Sequence, residues 1–275
     1  MGRLLAINGD LAAIETLRSD LAAAGHECEV CGGNVEAIRR LRRRAFDVVL
    51  TDPLTSITED LALVEELREA RPGTRVILLA PAATHDDLIG ALRAKVFACF
   101  TPPFDWSEIV SLAKGALTEP DSQHGIEVVS GLPYWITLRV SCQLLTAERL
   151  IRFMTEHEQA LPERDLLMTA FREMLINAME HGAGFDSEKV VEVTAARTER
   201  AIVYHFRDPG PGFNRADLAH AIQSTEADQI LAGLERREAM GLRAGGFGML
   251  MARNIVDELV YNERGNEVLL IKHLA

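Results

Sequence analysis

The sequence predicts two domains of different fold class: an α/β doubly wound five-stranded parallel sheet, followed by an α+β two-layer sandwich. The chain has 275 residues, enough for about two domains at roughly 150 residues each. Its first part alternates short apolar runs with stretches of helical spacing, whereas its second part combines strand-like alternation with several helices. A polar stretch with proline and glycine, residues 119–130, is predicted to be the linker between residues 1–118 and 131–275.

Five strand–helix units are predicted in the first domain. The predicted strands are short, mainly apolar runs at residues 4–7, 48–50, 75–79 and 97–100, and a weaker strand at residues 28–30, which contains Glu29. Each is followed by a stretch with helical spacing, and the last of these covers residues 106–117. Continuous apolar strands fit a parallel sheet that is covered on both faces. A site in such a domain is expected at the carboxyl ends of the strands.

The second domain is predicted to be the α+β sandwich. Strand-like segments lie at residues 135–140, 190–195 and 201–206, and two last strands meet around Gly265. Helices are predicted at residues 147–157, 163–181, 214–222 and 246–259. Hairpin strands beside several helices are typical of a sheet that is covered by helices on one face.

Composition excludes several classes of function. The net charge is -12 and the acidic residues are spread evenly, so direct nucleic-acid binding is not expected. The basic run at residues 39–44 is interpreted as a solvated helix face. No apolar run approaches the roughly 18–20 residues of a membrane span. The four cysteines show no disulfide spacing, which favours reduced thiols in a cytoplasmic protein.

Asp52 lies at the end of the third predicted strand. By this aspartate and by the order of its strands and helices, the first domain resembles the receiver domain of bacterial response regulators. The resemblance implies Asp52 as phosphoacceptor, two acidic Mg²⁺ ligands after the first strand, and a hydroxyl and a lysine after the fourth and fifth. Here Asn8, Gly9, Ala80 and Pro102 stand at those positions. Without a metal and a cation the transferred phosphate lacks charge stabilisation. We therefore predict a degenerate receiver that serves as an interaction surface, with Asp52 as a turn residue rather than a working phosphosite.

Two side chains on the helix at residues 163–181 suggest chemistry. Glu173 and Asn177 are four residues apart, so they share one surface of the helix. A carboxylate can accept a proton from an attacking hydroxyl. An amide oxygen can occupy one position on Mg²⁺, which keeps several of its waters. Such a pair alone is most often ordinary helix surface.

Two glycine-containing segments follow in the same domain. Asp208 ends a strand and is followed by Gly210 and Gly212, which allow the chain to approach a ligand closely. Gly246 and Gly248 open a helix, where main-chain N–H groups and the helix dipole favour phosphate. Each segment alone is a weak signal, but the order and spacing of all three segments are specific.

Together the three segments resemble the ATP-binding domain shared by histidine kinases, DNA gyrase, a heat-shock chaperone family and the MutL proteins (the GHKL, or Bergerat, ATPase fold). Within that superfamily they are most similar to the anti-sigma-factor serine kinases. The resemblance implies ATP and Mg²⁺ as cofactors, Glu173 as general base, Asn177 as metal ligand and residues 223–243 as the lid over the nucleotide. The nucleotide-binding residues that it implies are Asn177, His181, Asp208, Gly210, Gly212, Gly245, Gly246, Gly248 and Met249.

These features predict a signalling switch that phosphorylates Ser/Thr of a protein partner of the anti-anti-sigma type, or that sequesters a sigma-like factor. An alternative is a non-catalytic ATP/ADP sensor that binds partners according to its nucleotide. A third hypothesis, a histidine kinase, requires phosphate on His157, whose surroundings imitate a phosphoacceptor box. Only 15 residues separate His157 from Glu173, too few for a second dimerisation helix, so a helix end before Pro162 is favoured. The sequence also leaves room for a homodimer.

Overall fold

Two β-sheets organise the chain, one with five strands and one with six. The computed structural model describes residues 1–7, 11–118, 125–132, 134–212 and 247–274. Its contacts form two units: Met1–Val128 with Glu148–Gln159, and Val129–Ala147 with Ala160–Ala275. Within the described ranges, no helix is both long enough and apolar enough to cross a bilayer.

The first sheet has the strand order β2-β1-β3-β4-β5, and all its pairings are parallel. Its strands are β1 Arg3–Ile7, β2 Glu27–Cys31, β3 Val48–Leu50, β4 Arg75–Leu79 and β5 Ala98–Phe100. The helices between and after them are α1 Leu11–Ala23, α2 Asn34–Arg43, α3 Ile57–Ala70, α4 His85–Arg93 and α5 Trp106–Thr118. The predicted doubly wound five-stranded parallel sheet is confirmed.

Local sequence explains how this unit forms. The strands β3 and β5 are buried along their whole length, as expected for parallel strands covered on both faces. Two helices begin at reciprocal capping boxes, Ser56 with Glu59 on α3 and Thr84 with Asp87 on α4. Each box satisfies main-chain N–H groups that a helix start leaves without a partner.

The second sheet has the strand order β10-β11-β9-β8-β7-β6. Its strands are β6 Ile126–Leu132, β7 Trp135–Ser141, β8 Val190–Arg197, β9 Ala201–Arg207, β10 Glu258–Tyr261 and β11 Glu267–His273. The helices of this part are α6 Leu144–His157, α7 Arg164–Asn177, a π-helical turn Ala178–Gly182 and α8 Phe247–Ile255. Phe171 on α7 packs on Tyr204 and Phe206 of β9, with ring centroids 4.9 and 5.0 Å apart. An antiparallel sheet with helices on one face confirms the predicted α+β sandwich.

Several element boundaries differ from the prediction. Strand β6 begins at Ile126, inside the predicted linker at residues 119–130. The helix predicted over 163–181 is α-helical only to Asn177 and ends in the π-helical turn. The helix predicted over 246–259 ends at Ile255, because the Asp257 N–H already bonds the Ile271 carbonyl and the chain continues as β10. The predicted helix at 214–222 and the lid at 223–243 lie outside the described residues.

The segment Glu148–Gln159 of α6 packs within the first unit. Arg149 Nε donates to the Phe97 carbonyl at 2.9 Å, and its guanidinium lies 4.4 Å from the Phe97 ring centroid. The buried Glu156 carboxylate accepts the Thr101 N–H at 3.1 Å and the Thr101 hydroxyl at 2.6 Å. The contacts therefore attach this helical segment to the end of β5, while the domain boundaries at 118 and 131 stay a prediction.

A buried carboxyl in the first unit leads to a stability prediction. Asp60 on α3 is 0% exposed, Thr55 Oγ1 lies 2.8 Å from its Oδ1, and its Oδ2 has no hydrogen-bond partner in the described part of the chain. Burial raises the pKa of Asp60, although hydrogen bonds from Thr55, Thr51 and Asn34 oppose the shift. A carboxyl with a raised pKa in the folded state costs stability as the pH rises through that pKa.

The Asp60→Asn variant is therefore expected to raise the free energy of unfolding at neutral pH by about 1–2 kcal/mol, because its neutral amide is buried without the desolvation cost of a charge. The gain should shrink as the pH falls, because the wild-type carboxyl then becomes protonated. Urea unfolding at neutral and mildly acidic pH measures this, with the exposed Glu65→Gln on the same helix as the control. Destabilisation at neutral pH that becomes smaller at mildly acidic pH would contradict this and show that the ionised carboxylate is required.

Candidate functional site

Helix α7 and its π-helical turn contact both the loop after β9 and the start of α8 in the second unit. Gly182 closes the π-helical turn, and a Cβ at this position would overlap the Asp208 carboxylate. A Cβ on Gly210 would lie 2.7 Å from the Gly182 carbonyl oxygen and 2.8 Å from Asp208 Oδ1. A Cβ on Gly248, in the first turn of α8, would overlap the Glu173 carboxylate. Glycine is thus required at these contacts, and they join residues from all three predicted segments.

Main-chain groups fix the Asp208 carboxyl from its own loop. Its Oδ1 accepts the Gly210 N–H at 2.8 Å, which holds the carboxyl against the turn. Burial raises the pKa of Asp208, while the Gly210 N–H and the charge of Arg264 oppose the shift. A carboxylate that is held in this way is an acceptor of fixed position for a donor on a ligand.

The hairpin between β10 and β11 supports this loop. The Asn262 Oδ1 accepts main-chain N–H groups of Gly265, Asn266 and Glu267 at 2.7, 3.1 and 3.3 Å. The Asp208 N–H donates to the Asn266 carbonyl at 3.0 Å, and Asn266 Nδ2 donates to the Asp208 carbonyl at 3.1 Å. The turn therefore holds Asp208 from the neighbouring strand. Sequence reasoning missed both asparagines, although their spacing around Gly265 is a turn signal.

Arg264 binds the glycine segment from the same hairpin. Its Nε and Nη2 donate to the carbonyls of Pro211 and Gly210, each at 3.2 Å. Gly212 has a φ of +80°, and a Cβ there would overlap the Arg264 carbonyl oxygen. Gly212 is therefore needed both for its left-handed backbone and for close packing. Beyond its position in the turn, no sequence signal indicates the role of Arg264.

Helix α7 presents the remaining functional groups. Glu173 and Asn177 are half-buried, whereas Met174 and Leu175 are buried at 2% and 0% exposure. The helix therefore packs by one side and presents a carboxylate and an amide by another. The π-helical turn that follows carries His181, which is exposed.

The other predicted nucleotide-binding residues divide into two groups. Met249 is half-buried on α8, next to Gly248. Gly245 and Gly246 lie outside the described residues. The glycine contacts therefore unite Glu173 with Gly248, and Asp208 with its neighbouring glycines, while the position of Met249 follows from its helix alone.

The described residues fit an adenine nucleotide with Mg²⁺. Close approaches at three glycines leave main chain, rather than side chains, around the Asp208 and Glu173 carboxylates. The Asn177 amide oxygen is the type of hard ligand that Mg²⁺ prefers. Among the described residues, no group of three or more His, Cys, Asp or Glu side chains could hold a metal by itself.

Asp52 has a local structural role in the first unit. It lies just after β3, is 5% exposed, and accepts the Leu54 N–H on Oδ1 at 2.9 Å. Ala80 at the end of β4 is fully buried, and Pro102 after β5 is exposed. Residues 8–10, which would follow the first strand, lie outside the described residues. The hydrogen bond to Leu54 agrees with the interpretation of Asp52 as a turn residue.

His157 is enclosed at the end of α6. It is 6% exposed, and its Nδ1 lies 3.1 Å from Glu158 Oε1. Its ring stacks on His85, with centroids 4.3 Å apart and an interplanar angle of 17°. A phosphoacceptor histidine must be accessible to the domain that donates the phosphate, and this imidazole is buried. The burial of His157 therefore favours a helix end over a phosphoacceptor.

The basic run at residues 39–44 is compensated by nearby acids. Arg40 pairs with Glu36, and Arg42 Nη2 lies 2.8 Å from Glu66 Oε1. Arg44 Nη2 lies 3.0 Å from Glu27 Oε2. These pairs fit the interpretation of the run as a solvated helix face.

The comparisons with known proteins divide the chain in the same way. Residues 143–272 match the family model described as a histidine kinase-like ATPase domain. The N-terminal part is similar to the transcriptional regulatory protein GlrR of Escherichia coli K12, with 25% identity over 116 residues, which are 42% of this chain and 26% of that protein. It is also similar to the DNA-binding transcriptional regulator NtrC of Azospirillum brasilense, with 27% identity over 114 residues, 42% of this chain and 24% of that protein. The chain thus spans about a quarter of the length of these relatives.

Solved structures match over the same N-terminal part. A response regulator from Thermotoga maritima has 21% identity and a TM-score of 0.39, covering 43% of this chain and 99% of that one. A CheY-like receiver domain protein from Methanospirillum hungatei has 22% identity and a TM-score of 0.37, covering 42% of this chain and 92% of that one. By its strand order the first unit has a receiver-like, doubly wound fold, and residues 143–272 are similar to a histidine kinase-like ATPase domain.

Proposed function

We propose that this chain is a bacterial signalling switch that binds ATP with Mg²⁺ and transfers phosphate to a Ser/Thr hydroxyl of a protein partner. The phosphorylated partner is of the anti-anti-sigma type. The alternative action on a partner is that the chain binds and sequesters a sigma-like factor. The observation that supports this most is the contact of Glu173 with Gly248 beside the enclosure of Asp208 by Gly182 and Gly210. These contacts support the proposal because they bring the Glu173 carboxylate, the Asp208 carboxylate and the start of α8 into one unit.

Each role follows from the chemistry of the side chain. Asp208, fixed by the Gly210 N–H, accepts from the exocyclic amine of adenine. Glu173 lies against the first turn of α8, where helix N–H groups favour phosphate, and it accepts the proton of the attacking hydroxyl. Asn177, one helical turn after Glu173, is the protein ligand for Mg²⁺. When bound, Mg²⁺ would neutralise negative charge on the phosphates.

The N-terminal unit is proposed to act as an interaction surface rather than as a phosphoacceptor. The Asp52 carboxylate binds its own turn, and Ala80 and Pro102 offer neither a hydroxyl nor a cation. All four cysteines are free thiols, which fits the cytoplasm, where we place the protein.

A non-catalytic nucleotide sensor is the second candidate. The contacts that hold Asp208 come from the β9 loop and the β10–β11 hairpin, and they do not involve Glu173. Adenine binding can therefore operate without turnover, and the two candidates differ only in the fate of the terminal phosphate.

Labelled ATP distinguishes the candidates. The purified chain would be incubated with [γ-³²P]ATP, Mg²⁺ and a purified anti-anti-sigma-type protein from the same genome. Acid-stable label on Ser/Thr of that protein is the expected result. Nucleotide binding without phosphate transfer would favour the sensor over the kinase. Acid-labile label on this chain would contradict both candidates and favour a histidine kinase.

A further inference from the structure

The exposed side chain of Arg264 holds two consecutive carbonyl groups of the glycine segment, residues 210–212. Its Nη2 donates to the Gly210 carbonyl and its Nε to the Pro211 carbonyl, each at 3.2 Å. The Arg264 carbonyl oxygen occupies the place that a Cβ on Gly212 would need. Arginine suits this position because its planar guanidinium presents several N–H donors in a fixed arrangement. Arg264 therefore contacts every residue of the glycine segment, although the proposed function assigns it no role.

The turn that carries Arg264 is itself fixed by Asn262. The Asn262 Oδ1 accepts the main-chain N–H groups of Gly265 and Asn266 at 2.7 and 3.1 Å. The Asn262 Nδ2 donates to Asn266 Oδ1 at 3.0 Å. Gly265 has a φ of +79°, a conformation that glycine adopts without strain. The main chain around Arg264 is therefore held by one side chain, so the guanidinium acts from a fixed position.

The contacts of Arg264 also orient a main-chain donor. The Gly212 N–H belongs to the same peptide group as the Pro211 carbonyl, and in a trans peptide the two point in opposite directions. Because the carbonyl is directed at Arg264, the N–H is directed away from it, and among the described residues it has no hydrogen-bond partner. Asp208 is attached to the same segment, since its Oδ1 accepts the Gly210 N–H at 2.8 Å. Arg264 thus holds the segment that positions both this donor and the Asp208 acceptor.

The charge of Arg264 also acts on the Asp208 carboxyl. Burial raises the pKa of Asp208, and the charge of Arg264 opposes that shift. Cys142 stays neutral near neutral pH, because burial raises its pKa to about 11. Arg264 is therefore a cation that favours the ionised form of Asp208, which is the form that accepts from an amine. The other titratable groups on the elements around this carboxyl are Glu263 in the same turn, Cys142 just after β7, and Glu180 and His181 on the π-helical turn.

We infer that Arg264 is a positioning residue for the nucleotide: its guanidinium holds the glycine segment, and its charge keeps the Asp208 carboxylate ready to accept from the adenine amine. This inference rests on the proposed ATP binding but not on phosphate transfer, so it applies equally to a kinase and to a nucleotide sensor. Without Arg264 the segment loses its charged donor and gains conformational freedom, which ATP binding must then remove.

The Arg264→Gln variant tests this inference by calorimetric titration with ATP and Mg²⁺ from neutral to mildly acidic pH. Glutamine has one amide group and no charge, so the affinity for ATP should fall at least fivefold at neutral pH. The loss of affinity on acidification should also begin at a higher pH than in the wild type, because Asp208 is protonated more easily without the nearby cation. The other titratable groups are the same in both proteins, so their effects cancel in the comparison.

The Arg264→Lys variant separates the charge from the hydrogen bonds. Lysine keeps the positive charge but lacks the planar fork that bonds two carbonyls at once. It should therefore keep the wild-type pH dependence and bind ATP with an affinity between those of the wild type and Arg264→Gln. The matched control is Arg200→Gln in the exposed turn before β9, at the opposite end of that strand from Asp208. This control removes the same charge and should leave both the affinity and its pH dependence unchanged.

Far-ultraviolet circular dichroism confirms that each variant is folded. An affinity of Arg264→Gln within about twofold of the wild-type value, or a pH dependence equal to that of the wild type, would overturn the inference and leave ATP binding in place. A lysine variant that matches the glutamine variant in both measurements would also overturn it, because the charge would then have no effect. A wild-type chain that binds no ATP would contradict the proposed function itself, and the inference with it.

Discussion

The Glu173→Gln variant is expected to transfer phosphate at least a hundredfold more slowly than the wild type, the range for loss of a general base. Its affinity for ATP should stay within about threefold of the wild-type value. Glutamine has nearly the same shape as glutamate, so the contact with Gly248 can be kept, but its amide cannot accept the proton of the acceptor hydroxyl. The transfer rate is measured with labelled ATP and the partner protein, and the affinity by calorimetric titration.

The matched control for this variant is Asp165→Asn on the same helix. Asp165 is exposed, with 85% of its side-chain surface accessible, so its neutralisation should leave both the transfer rate and the affinity unchanged. Full transfer by Glu173→Gln would remove Glu173 from its role as the base. Loss of ATP binding in this variant would instead indicate that the carboxylate helps to hold the nucleotide.

Asp208→Ala is expected to weaken ATP binding by at least tenfold. A hydrogen bond to a charged group contributes about 1.5–3 kcal/mol, which corresponds to roughly ten- to more than a hundredfold in affinity. The variant also removes the acceptor of the Gly210 N–H, so part of the loss would come from the loop. Competition of ATP against a fluorescent adenine nucleotide provides the measurement.

The Asp208→Asn variant separates recognition from loop structure. Its carbonyl oxygen can still accept the Gly210 N–H, but its amide N–H₂ suits an acceptor better than the adenine amine. We therefore expect a reduced preference for ATP over GTP, while the exposed Glu188→Gln should keep the wild-type preference. Unchanged ATP affinity in Asp208→Ala would mean that adenine binds elsewhere.

The fold could be predicted from the sequence where a run of apolar residues identifies a buried strand. Strands that are buried on both faces have continuous apolar runs, and this signal made β1, β3, β4 and β5 predictable. Strand β2 is half-buried over most of its length and has a weaker signal. The errors occur where tertiary pairing overrides local pattern. The residues of β10 continue the helical spacing of α8, but the hydrogen bonds with β11 make them a strand. Strand β6 was missed because its polar surroundings favour a linker.

The residues of the candidate site could be named from the sequence, but their packing could not. The resemblance of three segments to an ATP-binding domain indicated Glu173, Asn177 and Asp208, and their roles stay a prediction. The contacts of Gly182 with Asp208 and of Gly248 with Glu173 depend on how three distant segments meet, which no local pattern encodes. Asn262 was missed for the same reason, since its role appears only when the hairpin lies beside the β9 loop.

The buried polar groups of the first unit were also beyond local prediction. Asp60 takes a position on α3 that the helical spacing of Ile57, Val64 and Leu67 assigns to the core. A carboxyl at such a position is a recognisable signal, but its hydrogen bond with Thr55 depends on the turn after β3. The docking of Glu156 on Thr101 joins residues 55 positions apart in the chain and has no sequence signature.

Calorimetric titration of the purified chain with ATP, in Mg²⁺ and in a chelator, tests the central claim most directly. The wild type should bind ATP and should bind it more tightly with Mg²⁺, and Asn177→Ala should lose most of the Mg²⁺-dependent gain. Equal Mg²⁺ dependence in Asn177→Ala would contradict the metal assignment. A wild-type chain that binds no adenine nucleotide under either condition would contradict the whole account.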